Sequence, residues 1–537
     1  MGGSLLFYKN RGKMEKKVKK TYSYKAGKKT IERSYSYIPV RYIIAAFLML
    51  FEVCAVVAIT VVLCYYVPLF YIAAWLTEIF CVLKIISSDD NPEYKVPGLL
   101  VILIGPIAGF MLYFMFYSRK LSKKTLNRLK ILKEKAYSYD DEESFASLKT
   151  EDGIAAAQAK QLVNIASTHL FDGGELEYFP LGEDKHKRLL EDLRTAEKFI
   201  FMEYFIIEEG KFWNSILEIL KEKADLGVEV RVIYDDVGCI GTLPGDYYST
   251  LRKCRIKALP FSPLRGNADS EFNNRSHRKI TVIDGRIGYT GGVNLADEYI
   301  NEVKKFGHWK DVALRIEGRG VWELTKLFLE DYGINAKELP EDKHNYYPEP
   351  STTGDGYIIP FGDGPAPLYD VRVGKSVIAS MLDTATDYVY ITTPYLIIDN
   401  DLCCHIESAA RKGVDVRIIL PHIPDKRIVF ELTQSFYPRL IKGGVRIFEY
   451  EPGFVHAKSY VADGRYAMVG TINLDYRSLV HHFENGVWMY NTKVIDDIKR
   501  DIDSTLLKCI EIKIEDTEVG IFRRLLRAVL RAFATLF

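Results

Sequence analysis

The chain of 537 residues carries 72 Lys and Arg against 71 Asp and Glu, and 48% of its residues are hydrophobic. This length excludes a single ordinary core and predicts about three or four domains, mostly globular. The 8 cysteines form no Cys-x-x-Cys pair, so neither a zinc ribbon nor a disulfide framework is indicated.

The N-terminal part has the pattern of a membrane anchor. A basic arm, residues 1–41, precedes two apolar runs, 43–63 and 98–117, that are each long enough to cross the hydrocarbon core of a bilayer. Between them, residues 68–86 are apolar but interrupted by Trp, Glu and Lys. We expect this middle segment to lie at the membrane interface or to re-enter the membrane.

Basic residues flank this region on both sides, in the arm and in residues 119–135. Because positively charged flanks stay in the cytoplasm, the pattern predicts an even number of crossings of the cell membrane, with the large part that follows them cytoplasmic. The alternative is three full spans, which would place that part outside.

The soluble part shows the pattern of an internal duplication. A strand-like apolar run at 199–206, a helical stretch closed by Gly227 and a second strand at 228–234 recur about 180–190 residues later, the second helical stretch closing at Gly413. We predict two α/β domains of similar fold, with helices covering both faces of each sheet. The predicted organisation is a basic arm at 1–41, a membrane region at 42–117, a basic connector at 118–150, a first domain at 151–340, a linker at 337–356, a second domain at 356–512 and a basic amphipathic helix at 517–537.

One motif of chemical interest occurs once in each predicted domain. It has the form His-x-Lys-x-x-x-x-Asp, and each copy is followed by an asparagine 17 residues after its histidine and by an acid further on. Residues two apart on a strand point to the same face, so the histidine and lysine of each copy are expected to point together. The candidate residues are His277, Lys279, Asp284, Asn294 and Asp311 in the first copy, and His456, Lys458, Asp463, Asn473 and Glu484 in the second.

With these motifs the chain resembles the phospholipase D superfamily, and more closely its bacterial cardiolipin synthase branch. The resemblance extends to the glycines before each asparagine, to the N-terminal apolar spans and to the basic tail. It implies two duplicated domains that share one active site and join two phosphatidylglycerol molecules into cardiolipin, releasing glycerol. One departure is His481-His482 before Phe483-Glu484, where the family tends to have Leu-Asn.

The residue types suit exchange at a phosphodiester. Two lysines and two asparagine amides can hold the phosphate oxygens and stabilise the charge of the transition state. One histidine would attack phosphorus to form a phosphohistidine, and the other would protonate the leaving alkoxide. We expect Asp311 to hold the far ring nitrogen of His277 and Glu484 that of His456. Asp284 and Asp463 are interpreted as structural supports of the motif.

No cofactor and no metal are expected, because two lysines already supply positive charge and His308, His481 and His482 lack a partner at ligand spacing. The expected partners are anionic phospholipid and a membrane, not nucleic acid; the oligomeric state is left open. In the tail, apolar residues and Arg523, Arg527 and Arg531 recur on different faces, which predicts a helix in an anionic interface. The alternative is a helix docked on the protein core.

Other functions stay open on the sequence alone. A phospholipase D that passes the group to water, or a transferase that uses another alcohol, would need the same motif. A nuclease of the same superfamily is disfavoured by the apolar spans and by the absence of a basic stripe interleaved with aromatic residues. A membrane scaffold without catalysis is disfavoured by the two complete motif copies.

Overall fold

The computed structural model describes residues 19–26, 29–36, 40–88, 91–103, 109, 113, 123–134, 141–263, 273–336, 346–347, 354–369 and 371–537. Most of the predicted apolar run 98–117 and most of the predicted linker 337–356 lie outside these residues.

The N-terminal part consists of a β-hairpin and a series of helices. Strands β1 (Lys19–Ala26) and β2 (Lys29–Ser36) pair antiparallel. The helices that follow span Val40–Tyr66, Pro68–Ile86 and Pro92–Ile102. Within the part of the chain described, Leu69–Ile86 is the one stretch found long and apolar enough to cross a membrane, with a mean hydropathy of 1.9. This is the segment for which the sequence favoured an interfacial or re-entrant position.

The basic connector contains a helix, Lys123–Glu134, that packs on the first domain. Leu129 and Leu132 are buried there, and Arg128 donates hydrogen bonds to the carbonyl oxygens of Gly333 (3.1 Å) and Ala336 (2.6 Å) at the end of a domain helix. The connector therefore joins the N-terminal part to the catalytic body through fixed contacts.

Each repeat contains a mixed sheet in which three strands are parallel and the others antiparallel. The first sheet has the order β4-β11-β9-β8-β5-β6-β7, and β5, β6 and β7 are its parallel strands. Its strands are β4 (Glu175–Phe179), β5 (Phe199–Tyr204), β6 (Glu229–Asp235), β7 (Lys257–Phe261), β8 (Ile280–Ile283), β9 (Ile287–Gly291) and β11 (Ala313–Glu317).

The second sheet repeats this arrangement, with the order β22-β16-β15-β13-β18-β19-β21-β12-β3. Strands β13, β15 and β16 take the places of β5, β6 and β7, and β18 takes the place of β8. The strands are β3 (Phe171–Asp172), β12 (Tyr357–Asp363), β13 (Tyr388–Thr392), β15 (Asp415–Pro421), β16 (Arg446–Tyr450), β18 (Ser459–Ala462), β19 (Tyr466–Gly470), β21 (Glu484–Tyr490) and β22 (Cys509–Ile512). The predicted duplication is confirmed.

Two pairs of short strands lie outside the large sheets. They are β10 (His308–Lys310) with β17 (Gly453–Val455) and β14 (Leu396–Ile397) with β20 (Leu474–Asp475), and both pairs are parallel.

The remaining helices lie between the strands and at the two ends of the catalytic body. They span Glu142–Glu151, Gly153–Ala166, Gly182–Arg194, Lys211–Asp225, Tyr247–Lys253, Val321–Asn335, Val373–Thr384, Asn400–Arg411, Arg427–Gln434, Tyr437–Lys442, Val494–Leu506 and Ile521–Ala532.

Helices cover both faces of each sheet, as predicted: Val321–Asn335 packs on the second face of the first sheet, and Val494–Leu506 on that of the second sheet. Along β5, Ile200 and Met202 point into a core formed with the helices of their own repeat, whereas Phe201 points into a core shared with the second repeat. Val461 of β18 lies in this same shared core. Alternate residues of a strand point to opposite faces, and on this second face Phe201 stacks on Phe328 of helix Val321–Asn335 at 4.7 Å between ring centroids, within the core that the two repeats share.

The predicted start of the first domain at residue 151 needs a correction. Helix Gly153–Ala166 buries Ala155 and Leu162 in the core of the second repeat, and β3 pairs with β12 of the second sheet. By packing, residues 153–172 therefore belong with the second repeat. An apolar helix face joins the sheet that buries it, whatever its position in the chain.

The C-terminal helix presents a different face to the protein than the sequence suggested. Arg523 and Arg527 bind Glu431 on helix Arg427–Gln434, and Arg531 lies over the ring of Phe436 at 4.5 Å. The expectation that these arginines face anionic lipid is wrong, because their charges are used within the protein. The apolar face is the exposed one, and its residues are Ile521, Phe522, Leu525, Leu526 and Val529.

Candidate active site

The two motif histidines are placed by backbone pairing between the repeats. Strand β17, which leads into His456, runs parallel to β10 of the first repeat, and the amide of His456 donates to the carbonyl oxygen of Lys310 (2.7 Å). In the same way, the amide of His277 donates to the carbonyl oxygen of Phe483 (2.9 Å). Each histidine segment therefore lies beside the segment that carries the acid of the other repeat.

The acids pair with the histidines across the two repeats. Nδ1 of His277 lies 2.9 Å from Oε1 of Glu484, and Nδ1 of His456 lies 2.7 Å from Oδ2 of Asp311. The expectation that Asp311 holds His277 and Glu484 holds His456 is wrong in its pairing. The parallel contacts between the repeats bring each acid next to the other repeat's histidine. A carboxylate on Nδ1 leaves the lone pair of a neutral imidazole on Nε2.

A glycine makes room for one of these pairs. A Cβ atom at Gly292 would lie 2.0 Å from Oδ1 of Asp311 and 2.9 Å from the carbonyl oxygen of His456. No side chain fits at the first distance, so the close approach of Asp311 to His456 requires glycine at this position.

The two motif lysines are fully buried beside the histidines. Nζ of Lys279 donates to the carbonyl oxygen of His277 (2.6 Å), and Lys458 makes the equivalent bond to His456. Burial lowers the pKa of Lys279 to about 7 and that of Lys458 to about 8. Lys279 directly precedes β8 and Lys458 directly precedes β18, and each lies two residues after its histidine.

Burial also determines the protonation state of the two motif histidines. It lowers the pKa of His277 well below its ordinary value, and the nearby charges of Lys279 and Lys458 act in the same direction. For His456, burial and then Lys458 lower the pKa to about 4, although Asp311 opposes the shift. Both imidazoles are therefore neutral at pH 7 in the absence of an anion, and both lysines act on His277, so the two motif copies share one centre.

Two hydroxyl groups that the sequence did not single out hold Glu484. Ser478 donates to Oε1 (2.6 Å), and Thr471 donates to Oε2. With His277 on the same carboxylate, both oxygens of Glu484 are engaged and its position is fixed. Thr471 lies within the Gly-Thr-Ile-Asn segment that carries the resemblance, which is the one sequence signal for its role.

The two asparagines hydrogen bond within their own repeats. In Asn294, Oδ1 accepts from the amide of Ile206 (3.0 Å) and Nδ2 donates to the hydroxyl of Tyr299 (2.8 Å). In Asn473, Nδ2 donates to Asp475 (3.0 Å). An amide nitrogen carries two protons, and each of these bonds uses one. Their predicted contact with phosphate stays a prediction.

The two motif aspartates lie at the opposite ends of β8 and β18 from the histidines. Asp284 accepts hydrogen bonds from three consecutive amides before β5, including that of Phe199 (2.8 Å), and Asp463 does the same before β13, including Tyr388 (2.9 Å). Both have positive φ, at 53° and 52°, in turns that continue with glycine. A short polar side chain tolerates this conformation and binds nearby amides, so the geometry supports a structural role.

The structure brings a further histidine to the first half of the centre. The rings of His482 and His277 lie 5.6 Å apart between centroids, and Nδ1 of His482 lies 3.8 Å from Oε1 of Glu484. His277, His482 and Glu484 thereby form a group whose potential ligand atoms lie within 4.8 Å of one another. The sequence could not show this grouping, because His482 and His277 are brought together only by the folding of the two repeats. That the reaction needs no metal stays a prediction.

Comparison with known proteins identifies the family. The family model for the cardiolipin synthase phospholipase D-like domain matches residues 189–311 and 378–506. Over 437 residues, 80% of this chain and 86% of the relative, the chain is 32% identical to a cardiolipin synthase of Alkalihalophilus pseudofirmus. The chain belongs to the cardiolipin synthase family. Its relatives in that family also include cardiolipin synthase 2 of Bacillus cereus, 32% identical over 78% of this chain and 83% of the relative.

Two further proteins are similar to this chain, one in sequence and one in fold. An uncharacterized protein of Streptococcus mutans is 42% identical over 79% of this chain and 92% of its own length. Among solved structures, phosphatidylserine synthase of Haemophilus influenzae matches with a TM-score of 0.54 at 17% identity, covering 70% of this chain and 97% of that one. The last similarity concerns the fold, which is that of a duplicated phospholipase D-like α/β protein.

Proposed function

We propose that this phosphatidyltransferase joins two phosphatidylglycerol molecules into cardiolipin and releases glycerol, through a phosphohistidine. The observation that carries the proposal is the pair of neutral imidazoles, His277 and His456, each held at Nδ1 by a carboxylate of the other repeat. Two nitrogens with free lone pairs in one centre fit a reaction with two displacements at phosphorus. Membership of the cardiolipin synthase family supports the choice of lipid.

In the first displacement, Nε2 of one histidine forms a bond to phosphorus and the bond from phosphorus to the glycerol oxygen breaks. The other histidine, protonated when the anionic lipid is bound, gives its proton to that oxygen and glycerol leaves. In the second displacement, the histidine that gave up its proton takes a proton from the hydroxyl of the acceptor lipid. The new phosphorus–oxygen bond forms, the phosphorus–nitrogen bond breaks, and both imidazoles return to their starting state.

The buried lysines supply the positive charge that this chemistry needs. A phosphodiester carries a negative charge, and its oxygens would lie near Lys279 and Lys458 during transfer. The bound anion raises the pKa of both lysines and of the histidines, because an opposite charge favours the protonated form. Substrate binding thus favours the protonated, positively charged form of both lysines, whereas burial in the free protein favours the neutral form.

The proposed setting is the cell membrane. Helices Val40–Tyr66 and Pro68–Ile86 expose many large apolar side chains, such as Phe47 (65%), Leu69 (77%) and Phe80 (65%), and folded proteins rarely expose apolar patches of this size to water. The two helices are separated by Val67 alone. Leu69–Ile86 is the span that the described residues support, and a second crossing by Val40–Tyr66 would return the chain to its starting side, in agreement with basic flanks on both sides and a cytoplasmic catalytic body.

The next helix ties the membrane part to the catalytic body. Oε1 of Glu93 accepts from the amide of Asn400 (2.7 Å), Oε2 accepts from the hydroxyl of Tyr476 (2.5 Å), and Asn91 donates to Asp399 (3.0 Å). The exposed apolar face of the C-terminal helix offers a second contact with the membrane. Together they would hold the active site close to its lipid substrate.

The proposal is tested with purified protein in mixed micelles that contain phosphatidylglycerol labelled in its headgroup glycerol and in its acyl chains. Cardiolipin and free glycerol in equal amounts are expected, and His277→Asn should form neither. Phosphatidic acid as the sole lipid product would assign a hydrolase instead. Inert lipid together with cleavage of DNA would assign a nuclease.

A further inference from the structure

Arg477 is a cation near the active centre whose side chain donates hydrogen bonds to uncharged groups. Its Nε donates to Nε2 of His482 (3.3 Å) and its Nη1 donates to the carbonyl oxygen of Leu536 (3.5 Å). No carboxylate in the described part of the chain forms an ion pair with it, although the side chain is half-buried. Burial lowers its pKa, and the charge of Asp475 offsets this only in part. Partial burial of a guanidinium that has no carboxylate partner costs free energy, and a bound anion would offset this cost.

The ring of His482 lies between Arg477 and His277, one of the two histidines of the proposed reaction. The guanidinium contacts His482, and the ring of His482 lies 5.6 Å from that of His277. The charges of Arg275 and Asp235, which belong to the first repeat, also act on the pKa of Arg477. Arg477 therefore lies where the two repeats meet. An anion bound there would be adjacent to the site of phosphoryl transfer without occupying it.

The duplication provides an internal comparison. Arg477 lies four residues after Asn473, and the residue four after Asn294 in the first repeat is Glu298, whose carboxylate pairs with Lys305 at 3.3 Å. Equivalent positions thus carry a neutralised acid in one half and a cation without a carboxylate in the other. The two halves of the centre differ in charge next to the same motif, although their folds repeat.

We propose that Arg477 binds the phosphate of the acceptor lipid, and thereby selects an anionic phospholipid over an uncharged alcohol for the second displacement. This rests on the proposed function, in which the attacking hydroxyl and the acceptor's own phosphate are at opposite ends of one glycerol. Once the hydroxyl reaches the phosphohistidine, the second phosphate must lie one glycerol away, just outside the lysines. A planar guanidinium with free N–H groups is the side chain best suited to hold it.

The test compares two acceptors in the same micelles. With phosphatidylglycerol as donor, the rate of cardiolipin formation measures transfer to an anionic acceptor, and incorporation of labelled glycerol into phosphatidylglycerol measures transfer to an uncharged one. Arg477→Gln should lower the ratio of the first rate to the second by about tenfold to a hundredfold, as expected for the loss of a charged hydrogen-bonded contact. Arg477→Lys should recover part of the ratio, because it keeps the charge without the planar geometry.

The control is Arg411→Gln, which removes the same charge from an exposed arginine that pairs with Glu407 and should keep the wild-type ratio. An unchanged ratio in Arg477→Gln would overturn the proposal. So would an equal fall of both rates, which would show that Arg477 only positions His482 or supports the fold. If the wild-type protein performs neither transfer, the proposed function itself fails, and that outcome is separate from any effect of Arg477.

Discussion

His277 and Glu484 are 207 residues apart in the chain, in different repeats, yet Nδ1 of the histidine lies 2.9 Å from Oε1 of the acid. His456 and Asp311 form the reciprocal pair at 2.7 Å. Neither motif histidine therefore has its carboxylate partner within its own repeat. Each repeat by itself is therefore expected to lack a complete active centre.

The crossed pairing can be tested by magnetic resonance. Glu484→Gln should change the tautomer and the pKa of His277 and leave His456 unaffected, since a neutral amide no longer favours the proton on Nδ1. Asp311→Asn should do the reverse. The measurement is the nitrogen chemical shifts of isotope-labelled histidines in micelles. Each acid acting on the histidine of its own repeat would contradict the structure.

Either motif histidine should be indispensable for complete turnover. His277→Asn and His456→Asn should each lower cardiolipin formation by about 10²- to 10⁴-fold, the usual contribution of a general acid–base group, or by more for the nucleophile. The two variants should differ in one respect, since only the variant that retains the nucleophile can form a phosphoenzyme.

Alkaline quenching, which preserves phosphohistidine, followed by detection of labelled protein measures this difference. The control is His405→Asn, which alters an exposed histidine paired with Asp383 and should keep wild-type activity. Turnover near wild type in either motif variant would rule out the shared two-histidine centre.

Lys279→Met should stabilise the protein and abolish transfer. The pKa of Lys279 is lowered by burial to about 7, so the folded state binds fewer protons than the unfolded state. Stability therefore rises with pH from about 7 towards the ordinary lysine value, and the destabilisation is fully present below pH 7. Removing the charge should raise the melting temperature at pH 6 by several degrees, and less at pH 9.

Thermal unfolding in detergent across this pH range checks the prediction. Lys257→Met is a suitable control, because Lys257 is mainly exposed and pairs with Glu229. A melting temperature that falls in Lys279→Met at pH 6 would show that the bond to His277 outweighs the cost of burying the charge.

Binding of an anionic lipid should take up protons. In the free protein at pH 8, Lys279, with a pKa of about 7, is largely deprotonated, and Lys458, with a pKa of about 8, is half deprotonated. A bound phosphodiester raises both pKa values. Calorimetric titration with a short-chain phosphatidylglycerol in buffers of different ionisation enthalpy measures the number of protons. The uptake should be smaller in Lys458→Met, and a binding enthalpy that is the same in all buffers would exclude the charging mechanism.

The C-terminal helix should engage the membrane through its apolar face. Phe522 and Leu525 are 87% and 64% exposed, so replacing both with Ser should lower activity on phosphatidylglycerol bilayers more than on micelles. Leu226→Ser removes a residue of similar exposure (73%) from the first repeat and should affect neither assay. Equal loss in both assays, with a lower melting temperature, would assign the helix a structural role instead.

Much of the chemistry could be predicted from local sequence. The two His-x-Lys motifs each lie directly before a strand, in extended chain where side chains two apart share a face, so the histidine and lysine of one copy were expected to lie together. The duplication was visible because the order of strand, helix and glycine recurs at nearly constant spacing. The turn aspartates Asp284 and Asp463 were interpreted as structural for reasons of position, and their amide contacts agree with that.

Other features depended on contacts between the repeats. The partner of each histidine, the burial that lowers the pKa of Lys279 and Lys458, and the position of His482 all arise where one repeat packs on the other. A continuous apolar run, as at 199–206, indicates that a strand is buried on both faces. It does not show whether a helix or a second sheet covers each face, because both bury the same side chains.

The sequence by itself thus determined the residue types, their local alignment on strands and the existence of two equivalent copies, since these depend on residues close together in the chain. Only the tertiary structure decided that each carboxylate serves the other copy and that the arginines of the C-terminal helix bind Glu431 rather than face outwards. The physical reason is that pairing and desolvation between distant segments depend on how two whole surfaces meet, which no local pattern records.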